Sequence, residues 1–312
     1  MKIQKHIQYE EVPAPRFHHL HLNSPDPDEA INFYVRQFPS SRATSWGGFP
    51  ALETGKVYLL FTRVRRPIGT EAQTAIWHFG WHVVDVRRNL ERYKQQELQL
   101  LPLYTSDDGG TVFISSDTFP GTAPAVGLTK QQIAEAKVNG LQPRGEGGFA
   151  YLAGPDGAIV EYQGNMSAER FNHVHMYQED PLYSQRWYQE HLNARSNEFA
   201  VKLDHIHRND DDEPSWPALV REGTIRQPRG GVSFDDVALY WYPRQGGRRP
   251  LASTRGRLVD HIGLSVSNLD AWTVKLRSQG VPFLEGPYTL GGVRAVMIEG
   301  PSHEAIELLE DN

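Results

Sequence analysis

Four times along the chain a short run of alternating apolar and polar positions gives way to apolar positions at helical spacing. The runs are FHHLHLNSPDPDEAINFY from Phe17, IWHFGWHVVDVRRNLERY from Ile76, FNHVHMYQEDPLYSQRWY from Phe171 and VDHIGLSVSNLDAWTVKL from Val259. Alternation with period two marks a half-buried strand, and the 3.6-residue period after it marks an amphipathic helix. The helical parts carry their own boundaries. Asp26-Pro27-Asp28-Glu29 supplies a cap, an early proline and acidic first-turn residues ahead of Ala30, Ile31, Phe33 and Tyr34. Residues 86–96 place Val86, Leu90 and Tyr93 at helical spacing. In the fourth run Asn268 caps a helix through Leu269, Trp272, Val274 and Leu276 that Gly280 stops. Strand-like segments follow at 42–46, 56–64, 111–115, 149–153, 158–162, 237–242, 294–299 and 305–309. Turn signals such as Gly154-Pro155-Asp156-Gly157 and Gly300-Pro301-Ser302 separate them.

Each repeat therefore reads strand, helix, then two or three strands. That predicts an α+β fold of mostly antiparallel strands, not a doubly wound parallel sheet. Aligned on the early histidine, His19, His78, His173 and His261 fall at the same place. The copies alternate in kind. The first and third carry His-x-His (HHLHL, NHVHM), whereas the second and fourth carry His-x-Gly (HFGWH, HIGLS) and end in a strand holding a glutamate, AIVEYQG and AIELLE. A duplicated two-unit domain is the simplest account. The expected boundaries are an arm over 1–16, a first two-unit domain over 17–165 and a second over 166–312. Two stretches exceed the repeat: about 103–148, with a helix predicted over 129–139 behind a Thr/Gln capping box, and about 195–231, with the run Asp210-Asp211-Asp212-Glu213. Loops of such length are usually lids or insertions.

Composition narrows the chemistry. The chain has 13 His and no Cys, so a disulfide scaffold, a thiolate zinc site, an iron–sulfur cluster and a thiol nucleophile are excluded. Any transition-metal site must be built from His, Asp and Glu. The net charge of -6 gives no general attraction to nucleic acid or anionic membrane. No apolar run approaches the roughly 18 residues of a membrane span, and MKIQKHIQYEEVPAPR has no apolar stretch of a signal peptide. A cytoplasmic protein with a small-molecule partner is expected, and a homodimer is compatible with the sequence. Glu161 and Glu307 are acidic residues flanked by apolar ones in strands that should be buried. A buried carboxylate is costly unless paired or bound to metal. Two imidazoles and one carboxylate on a common cavity form the face associated with Fe(II) and similar ions, leaving about three open positions.

These residues resemble the vicinal oxygen chelate superfamily, which includes glyoxalase I, extradiol dioxygenases, fosfomycin resistance enzymes and bleomycin resistance proteins. The resemblance implies four βαβββ units paired into two cup-shaped, mostly antiparallel half-barrel domains. It also implies metal ligands on the first strands of two units and the last strand of one. Carried onto this sequence, that gives His19, His78 and Glu161 in the first half and His173, His261 and Glu307 in the second. Relatives that pair the first unit with the fourth would instead assemble His19, His261 and Glu307. His21 and His175 lie two residues on, as supporting or substrate-contacting groups, while His82 is out of register. His205 and His207 form a separate HxH within an insertion. A cupin barrel is the rival for HxH strands, but that family has no helix straight after the motif.

The resemblance implies a divalent metal, Fe(II) first and Mn, Zn or Ni as alternatives, that chelates adjacent oxygens of a diol, hydroquinone or similar substrate. An extradiol ring-cleaving dioxygenase is the leading reading. Residues 151–157, YLAGPDG, before Glu161 are similar to the extradiol signature, and they make Tyr151 the candidate acid–base or substrate-binding group. Residues 143–148, PRGEGG, stand where that signature has a histidine, and Met297 and Ile298 occupy the Tyr region of the second half. The alternatives are a glyoxalase- or fosfomycin-resistance-like lyase, isomerase or transferase, and a metal-free binding protein. Glyoxalase I takes a carboxylate from its first unit, but the matching strand here, Val57-Tyr58-Leu59-Leu60-Phe61, has none. Trp46, Trp77, Trp81, Tyr240, Trp241 and Tyr242 offer flat surfaces for stacking on a ligand or serve as core.

Overall fold

The computed structural model describes residues 12–67, 73–101, 103–107, 110–114, 138–139, 149–164, 166–197, 229–243 and 250–311. The first unit is β1 (Arg16–Ser24), α1 (Pro27–Gln37), β2 (Ser41–Trp46), β3 (Phe49–Thr54) and β4 (Val57–Arg63). The second is β5 (Ile76–Val83), α2 (Val86–Gln95), the short β6 (Leu100–Leu101), a hairpin of β7 (Leu103–Asp107) and β8 (Gly110–Ile114), then β9 (Phe149–Ala153) and β10 (Ile159–Gly164). The third is β11 (Arg170–Gln178), α3 (Pro181–Leu192), β12 (Arg195–Ser196), β13 (Gly230–Phe234) and β14 (Val237–Pro243). The fourth is β15 (Val259–Val266), α4 (Leu269–Ser278), β16 (Phe283–Leu290), β17 (Val293–Glu299) and β18 (Ala305–Glu310). Asp26 and Asn268 cap α1 and α4 through the backbone N–H groups of Glu29 and Ala271, as their positions predict. Most of the helix predicted over 129–139, the acidic run at 210–213, and His205 and His207 lie outside the described residues. Among the described residues no helix is long and apolar enough to cross a membrane.

The strands form two open eight-stranded sheets. Sheet one runs β16-β17-β18-β15-β1-β4-β3-β2 and sheet two runs β12-β13-β14-β11-β5-β10-β9-β6. Each unit's first strand lies parallel to the last strand of its own unit. The first strands of two units then meet antiparallel, β1 on β15 and β11 on β5. This corrects the expected halves. The first unit pairs with the fourth and the second with the third, so 17–165 and 166–312 are not the units of sheet pairing. Sheet one curls far enough for its outer hairpins to touch: a Cβ placed on Gly291, in the β16–β17 turn, would lie 2.2 Å from the Cα of Gly47, in the β2–β3 turn.

The central strand pairs share one design. In β1 the ladder shifts between Phe17 and His19 and again between His21 and Leu22, and β11 repeats both shifts between Phe171 and His173 and between His175 and Met176. Phe17, Leu20, Leu22, Phe171, Val174 and Met176 go into the hydrophobic core, leaving the paired histidines on the opposite face. Bulges of this kind re-aim side chains next to functional sites. His19 is paired with Gly263 and His173 with Gly80. A Cβ on Gly263 would sit 2.0 Å from His19 Cε1, and one on Gly80 would sit 2.5 Å from His173 Cε1. The glycine of each His-x-Gly strand is thus the space that the first histidine of a His-x-His strand occupies.

Between the sheets lies one hydrophobic core with contributions from all four units. Trp81 of sheet two stacks on Phe38 of the first unit at 4.2 Å and meets Phe171 edge-on at 5.3 Å. Its indole N–H donates to Thr54 Oγ1, which also accepts the backbone N–H of Phe171, both at 3.2 Å. Of the residues weighed as stacking surfaces, Trp81 and Trp241 are therefore core. A second tie between the sheets is the fully buried Glu304, before β18, which faces the Tyr188 hydroxyl of α3 at 2.8 Å and accepts the backbone N–H of Ser302.

Two predictions follow from this packing. Gly263→Ala and Gly80→Ala overpack the ladders and push His19 and His173 aside; each costs about 1–3 kcal/mol, read as a lower urea midpoint at unchanged m-value. The second concerns Glu304, whose carboxyl burial pushes up to about 7. The unfolded chain releases this proton near the ordinary value of 4.5, and the folded chain holds it until about 7. Stability from this group is therefore complete below about pH 4.5 and falls as pH rises towards 7. Glu304→Gln keeps the shape and hydrogen bonds of the protonated acid. The difference in Tm between the two proteins should grow in favour of the variant between pH 5 and 8, by an amount equivalent to ~3 kcal/mol or less. A pH-independent difference refutes this.

Candidate metal centres

The ladder registers bring the predicted residues together in two clusters, but not in the sets expected from sequential halves. Centre one combines His19 and His21 of β1 with His261 of β15 and Glu307 of β18. Centre two combines His78 of β5, Glu161 of β10, and His173 and His175 of β11. His19 is not grouped with His78 and Glu161, nor His173 with His261 and Glu307. The reason lies in the strand pairing. Gly263 is flanked by His19 on one neighbouring strand and Glu307 on the other, and Gly80 is flanked in the same way by His173 and Glu161. His82, on the same strand as His78, belongs to neither cluster.

Two groups on one ion can stand no farther apart than twice a metal–ligand bond, about 4.2 Å. In centre one His19 Nε2 lies 3.3 Å from His261 Nε2 and 3.4 Å from Glu307 Oε2, and His261 Nε2 lies 3.9 Å from Glu307 Oε2. In centre two Glu161 Oε2 lies 2.8 Å from His78 Nε2, 3.4 Å from His173 Nε2 and 3.8 Å from His175 Nδ1. Every one of these spans meets the limit. Glu307 Oε2, His173 Nε2, His78 Nδ1 and His21 Nδ1 are buried without a hydrogen-bond partner. Such atoms are costly to leave bare, and a cation between the donors would satisfy the first two. The donor set of imidazoles and carboxylate suits Fe, Mn, Zn or Ni.

Electrostatics favours the ligand form of the imidazoles. Burial holds His19, His21 and His175 well below the ordinary histidine value, and neighbouring imidazoles add to this. His78 is lowered by burial against the opposing pull of Glu161. Burial alone would raise Glu161, but the adjacent His173 and the hydrogen bond from His78 Nε2 outweigh it and hold its carboxyl well below the ordinary range. Neutral imidazole beside carboxylate is the state a metal needs.

The surroundings differ. In centre one His261 Nδ1 donates to Asp260 Oδ1 at 2.6 Å, and Asp260 is bound by Arg255, which also holds Glu285. His18 meets His19 Nδ1 at 2.8 Å and lies against Trp46, and the Tyr288 hydroxyl donates to Glu307 Oε1 at 2.5 Å. In centre two His173 Nδ1 donates to Asn172 Oδ1 at 2.9 Å, and aromatic rings form the wall. Trp77 lies edge-on to His78 at 4.3 Å and stacks on Tyr177 at 5.2 Å, while Tyr240 and Tyr242 each lie 5.3 Å from His175. Tyr151 sits opposite Glu161 in the ladder, 5.0 Å from the His78 ring, and burial followed by the Glu161 charge keeps its hydroxyl protonated. Sequence reasoning missed Asp260, Arg255 and Tyr288, and marked Gly80 and Gly263 only as the glycines of the His-x-Gly pattern, without their steric role. Asp260 had a signal, standing directly before His261, whereas Tyr288 had none because a hairpin separates it from Glu307.

Residues 170–308 match the family model of the Glyoxalase/Bleomycin resistance protein/Dioxygenase superfamily. A search of the curated proteins found no match. Among solved structures, glyoxalase I from Zea mays superposes with a TM-score of 0.59 at 14% identity, over 95% of this chain and 92% of that one. A putative dioxygenase from Bacillus subtilis superposes with a TM-score of 0.54 at 11% identity, over 96% of this chain and 86% of that one. At such identities the likeness shows the fold alone. Residues 170–308 thus belong to the Glyoxalase/Bleomycin resistance protein/Dioxygenase superfamily, and the chain as a whole carries the glyoxalase-like fold.

Proposed function

We propose that centre one is the active site of a metal-dependent enzyme that binds its substrate through adjacent oxygens, acting as an extradiol-type ring-cleaving dioxygenase on a catechol or hydroquinone. The observation that carries this reading is the facial set His19, His261 and Glu307, with every pair of donors within 3.9 Å. His19, His261 and Glu307 would hold a divalent ion, Fe(II) in the first instance, which would supply Lewis-acid polarisation of two substrate oxygens. The protein's own groups prepare the site. Asp260 fixes the tautomer of His261 so that Nε2 faces the donors, and Arg255 holds Asp260 in place. Tyr288 keeps a proton at Glu307 Oε1, because burial and the Glu307 charge push its hydroxyl up. Oε2 is left free. The Trp46 ring lies 6.3 Å from His19 and provides a flat surface beside the ligands. The second unit's Tyr151 faces centre two, so it serves no step at centre one.

The test is oxygen uptake with a panel of catechols and hydroquinones after anaerobic loading with Fe(II). Uptake is expected in the wild type and lost in His261→Ala. A fully loaded protein that consumes no oxygen across the panel overturns the dioxygenase reading and favours lyase or isomerase chemistry. Asp260→Asn removes the charge behind His261 and should lower metal affinity or activity by about 10–100-fold, measured by titration with Fe(II) and by initial rates.

A further inference from the structure

The donors of centre one are sealed in. His19 is 0%, Glu307 2%, and His21 and His261 each 5% exposed, so no substrate oxygen reaches them until something moves. Part of the cover comes from two hairpins of like build. Gly47-Gly48 joins β2 to β3 and Gly291-Gly292 joins β16 to β17, with φ of +59°, +86°, +56° and +92°. Positive φ at both central residues is what a two-residue hairpin turn needs. The strands beside the turns carry side chains onto the centre. Trp46 lies 4.5 Å from His18 and 6.3 Å from His19, Phe49 stands edge-on to His21 at 5.0 Å, and Tyr288 reaches Glu307. The two tips meet only as backbone: the N, Cα and C atoms of Gly47 surround the place where Gly291 would carry a Cβ. β2 and β16 are the opposite edges of sheet one, and among the described residues no backbone hydrogen bond joins the tips.

The two tips are anchored unequally. Glu285 ties β16 to Arg255, Tyr288 ties it to Glu307, and Arg294 of β17 binds Asp270 and Glu310. The β2–β3 hairpin is held lower down. β3 pairs with β4 only from Ala51 to Thr54, so Ser45, Trp46, Phe49 and Pro50 pair with one another alone. Pro50 has no N–H to give to that ladder. The hairpin's ion pair, Arg42 with Glu53, stands below the overhang. We propose that residues 45–50 are a lid on centre one. It swings away from Gly291 to admit a small molecule, lifting Trp46 and Phe49 off the imidazoles, and it closes with the anchored β16–β17 tip as its stop. Lids are drawn from segments with few ties to the rest of the fold. Gly47 and Gly291 set the closed position: a Cβ at Gly291 has no room there, whereas one at Gly292 meets nothing within 4 Å. This inference rests on the reading that small molecules react at centre one, but not on the metal or the reaction.

The experiment uses the full chain free of metal. The sequence has no Cys, so Ser45→Cys/Thr289→Cys, at two exposed positions flanking the tips, introduces the only thiols. Spin labels on them give the separation of the hairpins, and a cleavable bifunctional thiol reagent of that length then bridges them. Access is read as the rate at which diethyl pyrocarbonate modifies each histidine, resolved by mass spectrometry, with the exposed His303 as reference. Bridging should slow modification of His19, His21 and His261 by at least about tenfold, and cleavage of the bridge should restore it, while His78 and His173 of centre two keep their rates. Gly291→Ala should speed the same three histidines by a similar factor and lengthen the separation. Gly292→Ala strains the same turn without touching Gly47 and should change neither. Unchanged rates on bridging overturn the lid, as does equal slowing at centre two or equal speeding by Gly292→Ala. If Gly291→Ala fails to fold, the bridged pair decides. Because no metal is present, oxygen uptake can fail while the lid stands, and the lid can fail while oxygen uptake stands.

Discussion

The site chemistry rests on a steric vacancy at two backbone positions. At Gly263 and Gly80 an imidazole from one neighbouring strand and a carboxylate from the other converge over a residue that has no Cβ. A methyl group at either position would stand at 2.0 Å or 2.5 Å from an imidazole carbon, well inside contact distance. Once the glycine is fixed, the rest follows from the pleat. The His two residues earlier on the glycine strand points to the same face, and it meets the second histidine of the partner strand across the ladder, His21 opposite His261 and His175 opposite His78. The alternation of His-x-His and His-x-Gly is therefore one complementary interface, used twice.

That complementarity also explains what could and could not be read from the chain. The four units, three of their helices, two of them with their caps, and the register of four histidines and two glutamates were legible, because each is a local pattern of period or spacing. Partner choice was not. Either His-x-Gly strand presents the same vacancy to either His-x-His strand, so the motif does not say whether the first unit meets the second or the fourth. The outcome is decided by long-range packing such as Trp81 between Phe38 and Phe171, which no local window contains. The same blindness affects β16, where Gly286-Pro287 and mostly exposed side chains mask an edge strand that nevertheless delivers Tyr288 to Glu307.

Repetition of the interface did not preserve equality of the centres. Centre one is embedded in charge: Asp260 behind His261, Arg255 across Asp260 and Glu285, and Tyr288 on Glu307. A carboxylate behind an imidazole raises its basicity and locks its orientation, and the half-exposed Arg255 compensates for the buried negative charge that would otherwise be costly. Centre two carries a neutral amide behind His173, no hydrogen-bond partner behind His78, and an aromatic wall with the Arg229 guanidinium over the Tyr240 ring. The two centres built on one repeated ligand pattern thus differ in their surroundings, and the difference lies in residues outside the repeat's His and Glu positions.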